Sequence, residues 1–290
     1  MTWRRLLILM PLMALVASGC PAAADDDDAA DDDATGDDDT TGDDDTGDDD
    51  TADDDDTEPE EPGLEGTVYA VDCETPLPGV RVTLCQDEEA CAFLDTDESG
   101  HFLMDGLAHE KNGEFRAAGH INPEMRAFTG VIREFDIPET GFEEIDDICL
   151  PEIPVVTQLT GGEQVVEAGD GLTLTFDPDD VNWTLNTPQL GAIEVPSTAW
   201  QYVNIEGIEV LAAWAMYVWG SEMEVPATVV MPMRGDTQCD DPISIYEMSD
   251  VEIGWIPVGD AIVDCDLQTV STAPGEGLST FTWVAYGRPE

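Results

Sequence analysis

The acidic tract behind Cys20 limits what this chain can fold into more than any other feature. Residues 25–61 carry 20 Asp and 3 Glu, in triplets and quartets broken by Ala, Thr and Gly, without one aromatic residue. Dense like charge and the lack of apolar periodicity leave nothing to bury, so residues 20–62 are expected to form a disordered, self-repelling tether. As a flexible coil about forty residues span roughly 35 Å, and repulsion stretches them toward a contour limit of about 140 Å. Folding therefore has to start near Gly63.

In front of the tract, residues 1–19 run from Arg4-Arg5 through an apolar stretch, Leu6 to Val16, to Ala17-Ser18-Gly19 against Cys20. Basic start, apolar core and small residues at the cut are the parts of a secretory signal. The core falls well short of the about twenty apolar residues that a spanning helix needs. Ala17-Ser18-Gly19-Cys20 resembles a bacterial lipobox, which implies acylation of Cys20 and a membrane anchor. The residue after the cysteine is Pro21 rather than Asp. The resemblance then implies an outer-membrane lipoprotein, on the periplasmic face or at the cell surface. Several acyl chains on one cysteine would hold it firmly.

The tract accounts for 23 of the chain's 66 acidic residues; the other 43 stand against nine bases, and the formal net charge is −57. Such a surface repels nucleic acid and anionic head groups, so nucleic acid is excluded as a partner. The expected partners are the membrane, through the lipid anchor, and an envelope or extracellular partner whose identity the sequence leaves open. Asp95, Asp97 and Ser99 before Gly100 form a weak calcium candidate, but no distal Glu completes a loop and an acidic β-turn accounts for them better. Asp37-Asp38-Asp39-Thr40-Thr41-Gly42 lacks the fifth-position carboxylate and flanking helices of an EF-hand loop. No cofactor is expected beyond weakly held calcium.

Six further cysteines, Cys73, Cys85, Cys91, Cys149, Cys239 and Cys265, form an even set in an exported chain and read as disulfides. No close pair of them flanks a histidine as zinc ligands would. Spacing alone does not choose the connectivity. With the domain division below, the expected pairs are Cys73 with Cys149, Cys85 with Cys91 across a hairpin, and Cys239 with Cys265.

From Gly63 the pattern becomes short strands separated by Pro, Gly and Asp turns. The expected class is all-β: two tandem Ig-like β-sandwich domains, 63–152 and 153–290, divided at the stiff Pro151-Glu152-Ile153-Pro154. In the first, Leu64 to Val71, the alternating Val80-Arg81-Val82-Thr83-Leu84, His101 to Met104, Gly113 to Ala117, Ala127 to Phe135 and Ile145 to Leu150 are strand candidates. Glu65-Gly66-Thr67-Val68, Pro76-Leu77-Pro78-Gly79-Val80-Arg81-Val82 and Thr96-Asp97-Glu98-Ser99-Gly100-His101-Phe102 resemble the carboxypeptidase-regulatory-like domain, a small sandwich similar to transthyretin and adhesin repeats. That family name implies no peptidase, and no His-x-x-Glu zinc motif surrounds His101, His109 or His120. Lys111, the chain's only lysine, lies in a polar loop, where an isopeptide cross-link is not expected.

In the second domain, Gln164 to Ala168 and Leu172 to Phe176 lead to the richest apolar run, Val210 to Trp219. Ten β-branched, small and aromatic residues fit a strand buried on both faces better than a ligand groove. Met223-Glu224-Val225-Pro226-Ala227-Thr228-Val229, Gly254-Trp255-Ile256-Pro257 and Leu278-Ser279-Thr280-Phe281 resemble a ZU5-like β-sandwich. Some members of that family cleave themselves at a His-Phe-Ser step. Here the step is Gly277-Leu278-Ser279, and without the histidine no base is apparent for Ser279. Arg234-Gly235-Asp236 is an integrin-type tripeptide of a kind that arises by chance in a chain this rich in Gly and Asp. These readings converge on a non-enzymatic binding or structural module displayed at the envelope; the alternative is a self-processing or hydrolytic site in the second sandwich.

Overall fold

Val80, Val82 and Leu84 are fully buried while Arg81 and Thr83 between them stay half-exposed, as a period of two requires of a strand with one face on a core. The computed structural model describes residues 61–87, 90–118, 127–185, 187–249 and 253–290. The leader, Cys20, the tether to residue 60, with its Asp37–Gly42 loop, and His120 lie outside the described residues. No helix among the described residues is long and apolar enough to cross a membrane.

The first sandwich uses β1 (Gly63–Ala70), β2 (Arg81–Asp87), β3 (Ala90–Asp95), β4 (His101–Met104), β5 (Glu110–Ala118), β6 (Ala127–Phe128), β7 (Val131–Ile137), β8 (Phe142–Glu144) and β9 (Ile148–Leu150). Strand β1 takes β4 antiparallel on one side, and β8 and then β9 in parallel on the other. The second sheet runs β3-β2-β5-β7. Leu64, Val68, Val82, Leu84, Phe102 and Phe115 fill the space between them, with the Phe102 and Phe115 rings 5.6 Å apart. Full burial of each such side chain is worth about 1.5–3 kcal/mol. The turn into β4 needs glycine at position 100: its φ is +75°, and a Cβ there would lie 2.5 Å from the Val68 carbonyl oxygen.

The remaining strands are β10 (Glu152–Ile153), β11 (Thr157–Gln158), β12 (Gln164–Gly169), β13 (Leu172–Phe176), β14 (Val181–Asn182), β15 (Gln189–Glu194), β16 (Ile208–Tyr217), β17 (Ser221–Pro232), β18 (Ser244–Ser249), β19 (Gly254–Asp264), β20 (Thr269–Thr272), β21 (Leu278–Phe281) and β22 (Trp283–Pro289). Ten of them run in the order β11-β15-β16-β22-β18-β19-β20-β17-β13-β12, β14 and β21 pair with β17 off this path, and β10 pairs with β6. Strand β19 pairs with β18 through its first half and with β20 through its second, so one strand carries the chain from sheet to sheet.

The apolar run at 210–219 has a specific cause. On β16, Ala212, Trp214 and Met216 face the second sandwich's own core, while Ala213 and Ala215 belong to the core of the first. Strand β22 divides likewise, with Val284 and Tyr286 on one side and Trp283 and Ala285 on the other. The sheet is thus buried on both faces because it is shared, and the two sandwiches lie within one compact unit. The seam is hydrogen-bonded as well. Trp283 Nε1 donates to the Gly130 carbonyl over 2.8 Å, and the Thr129 hydroxyl donates to the Met216 carbonyl over 3.2 Å.

That grip divides the single strand expected at 127–135 into β6 and β7. Gly130 stands where a Cβ would come within 2.6 Å of the Trp219 ring. The stretch read as a stiff break is also engaged: Glu152 and Ile153 pair with β6, and Ile153 is buried beside Tyr217 and Val218.

Candidate functional site

Beside the shared core a cleft of about 370 Å³ opens between the two sandwiches. Its first wall is β7, where Ile132 is buried, Arg133 half-buried and Glu134 exposed; Asp146, in the loop between β8 and β9, continues it. The opposite wall holds Gln201, Tyr202 and Asn204, from the 3-10 turn Ser197–Tyr202 and the loop after it, with Met248, Ile253, Gly254 and Trp255 from β18, β19 and their connection.

Hydrogen bonds across the seam fix these walls. The Tyr202 hydroxyl accepts from the Cys149 amide at 2.9 Å and donates to the Asp147 carbonyl at 3.3 Å, locking the 3-10 turn onto β9. Burial pushes the Tyr202 phenol above its ordinary value. Trp255 Nε1 donates to the Tyr202 carbonyl at 3.1 Å, and the Tyr202 ring stands edge-on to Trp283 at 5.9 Å. Both aromatic residues are therefore held in place rather than left to swing.

Arg133 is the unusual member. Its Nη2 donates to the Asp146 carbonyl at 3.1 Å, and its guanidinium lies 5.8 Å from the centre of the Phe115 ring. Among the described residues no carboxylate comes within ion-pairing distance of it, whereas Arg81, Arg234 and Arg288 all have carboxylate partners. Burial, only partly offset by Tyr202 and Asp146, holds the Arg133 guanidinium below its ordinary value. An adjoining groove of about 400 Å³ shares Arg133, Glu134 and Asp146 and continues along Asp136, Glu143 and Glu144.

The residues singled out from sequence lie elsewhere. Disulfides join Cys73 to Cys149, Cys85 to Cys91 and Cys239 to Cys265. Asp95 forms a two-point pair with Arg81, at 2.6 and 3.1 Å. Asp97 caps its own turn, accepting from the Ser99 amide and hydroxyl and from the His101 amide. These three positions do not converge on one point, and among the described residues no group of three His, Cys, Asp or Glu is placed to hold a metal ion. His101 lies 3.6 Å from Glu65, and His109 Nδ1 is 2.6 Å from the Ile137 carbonyl. In the tripeptide, Arg234 pairs with Glu194 and Asp236 with Arg288, so both charged ends are engaged within the chain. Trp214 and Tyr217 of the apolar run are buried in cores rather than lining a groove.

Sequence reading missed Arg133, Tyr202 and Trp255 as one site, because the seam brings together strands distant in the chain. It also missed Glu247. This carboxylate, 4% exposed, accepts from the Ser279 hydroxyl and from the Ser279 amide at 2.8 Å. A period-two signal was present, since Ile243, Ile245 and Glu247 share one strand face.

No protein-family model and no curated protein matches the chain. Among solved structures it is similar to a "putative carbohydrate binding protein" from Bacteroides uniformis, at 8% identity and a TM-score of 0.24, over 78% of each chain. It is also similar to BcpA, the major pilin subunit of Bacillus cereus, at 10% identity and a TM-score of 0.27, over 80% of this chain and 59% of that one. Neither likeness bears on function.

Proposed function

We propose that the chain is an exported, lipid-anchored and non-enzymatic display module, whose fused sandwiches offer the seam cleft to a ligand at the cell envelope. The observation that carries this reading is the cleft itself, with its fixed aromatic side chains and an arginine that has no carboxylate partner among the described residues, built where two sandwiches share one core. The three disulfides support a chain that folds in an oxidising compartment. The leader and the Ala17–Cys20 lipobox supply the anchor, and the acidic tract supplies reach from the membrane. Cys20→Ser is expected to move the protein from the membrane fraction to the soluble one. Retention of the variant in membranes would overturn the anchoring.

Glu247 gives the alternative one observation in its favour, a carboxylate on the Ser279 hydroxyl. The same carboxylate also takes the Ser279 amide, and β21 is paired with β17, which is the work of a structural clamp. The intact mass of the purified chain decides the matter: a break between Leu278 and Ser279 would establish self-processing, and an unbroken downstream chain leaves the clamp.

A further inference from the structure

The cleft combines opposite charges that, among the described residues, form no ion pair with each other. Arg133 has its only described polar contact with a backbone carbonyl, and it is half-buried. Glu134 and Asp146 are exposed at the same cleft, and among the described residues neither carboxylate has a base within ion-pairing distance. A planar guanidinium fork is best satisfied by a carboxylate bound through two parallel hydrogen bonds. A plain anion, however, would enter against Glu134, Asp146 and a chain whose formal net charge is −57. A ligand with no net charge escapes that repulsion, and a zwitterion also answers both signs in the wall.

We infer that the seam cleft binds a small zwitterion, an amino acid or dipeptide with both ends free. Its carboxylate sits on Arg133, its ammonium is received by Glu134 and Asp146, and its apolar side chain lies against Trp255, Ile132 and Met248. Size agrees. The 370 Å³ of the cleft hold about a dozen water volumes, enough for a dipeptide and too little for a folded segment. The rigid mounting of Trp255 on the Tyr202 carbonyl limits the ordering cost on binding. This inference rests on the reading of the chain as a binding module and names what that module takes.

The test titrates the full chain, solubilised in detergent, with the free amino acids and with dipeptides ending in Leu, Phe or Met, followed by tryptophan fluorescence and calorimetry. At least one probe is expected to bind with a Kd below about 1 mM, and acetylating its amine or amidating its carboxylate should each weaken binding about tenfold or more, the loss of one charged hydrogen-bonded contact. Arg133→Met keeps an apolar stem over Phe115 and should make the free and amidated probes equivalent. Because the blocked probes are compared on the unaltered protein, the result does not depend on a variant folding. The inference falls if no probe binds at about 10 mM, roughly ten times the expected ceiling on Kd. It falls equally if a doubly blocked probe binds as well as the free one. Binding of cellotetraose with none of the amino compounds would overturn the zwitterion and leave the binding-module reading standing. Membrane release of Cys20→Ser tests the anchoring separately.

Discussion

The hydroxyl of Ser279 donates to the buried carboxylate of Glu247, tying strand β21 to the interior of the second sandwich. The same carboxylate accepts from the Ser279 amide at 2.8 Å and, at longer range, from the Thr280 amide at 3.4 Å. Here β21 needs an outside acceptor because its register against β17 is interrupted between Glu222 and Ala227. Glu247→Ala would leave those donors without their acceptor and should destabilise the fold by about 2–4 kcal/mol. Ser279→Ala removes one donor and should cost about 1–2 kcal/mol. Urea unfolding of both variants checks the ranking; equal losses would show that the amides contribute nothing.

Trp283 carries the seam. It is fully buried, and its indole donates to the Gly130 carbonyl. Trp283→Phe should cost about 1–2 kcal/mol for the lost bond, and Trp283→Ala about 3–5 kcal/mol for the cavity. Since Ala213, Ala215 and Ala285 complete the same interface, both sandwiches should unfold in one calorimetric transition. Two resolved transitions in the unaltered protein would contradict a shared core.

The sequence made strands legible where one face is wet. Val80 to Leu84 and Leu172 to Phe176 alternate, and each forms a strand close to those bounds. It also exposed the run at 210–219 as buried on both faces, because ten apolar residues have no polar face to show. It could not say what covers the second face, since that cover is the first sandwich, and long-range packing leaves no mark in local spacing. Strand β15 escaped notice because Gly191 and Ala192 lower its β-propensity, and its place comes from pairing with β16. The cleft escaped for the same reason as the seam. Arg133, Tyr202 and Trp255 are each unremarked in their own segments and become a site only where the fold brings distant segments to one cleft, with Tyr202 bonded to both Cys149 and Trp255.

Two turns give a signed pH dependence. Asp72 is held below its ordinary value by the Thr75 hydroxyl and the Glu74 and Thr75 amides, and Asp97 by the Ser99 hydroxyl and the His101 and Ser99 amides. A carboxylate whose pKa is lower folded than unfolded stabilises fully above its unfolded value, here 3.8, and loses that contribution as pH falls through the lower folded value. Asp97→Asn should therefore be less stable than the unaltered chain at neutral pH, with the gap closing as pH falls below the ordinary carboxylate range. Denaturant midpoints measured across that range check it. A gap that widens in acid would reverse the sign and remove the turn carboxylate as its source.

The three disulfides should differ in worth because they close loops of different length. Cys73 and Cys149 are 76 residues apart, Cys239 and Cys265 are 26 apart, and Cys85 and Cys91 are 6 apart. On a loop-entropy account, removing them costs about 4.5, 3.5 and 2.2 kcal/mol respectively. The longest bridge also joins the turn after β1 to β9, whose Cys149 amide donates to Tyr202 at the cleft. Replacing Cys73 and Cys149 together by Ser should thus cause the largest stability loss of the three and also loosen the wall carrying Tyr202. Replacing Cys85 and Cys91 should act only on the hairpin. Unfolding of the three double variants gives the ranking, and the difference in folded-state tryptophan fluorescence with and without Trp255→Phe reports on the wall. Should the short hairpin bridge prove the most stabilising, entropy of the open loop would not be the source of the effect.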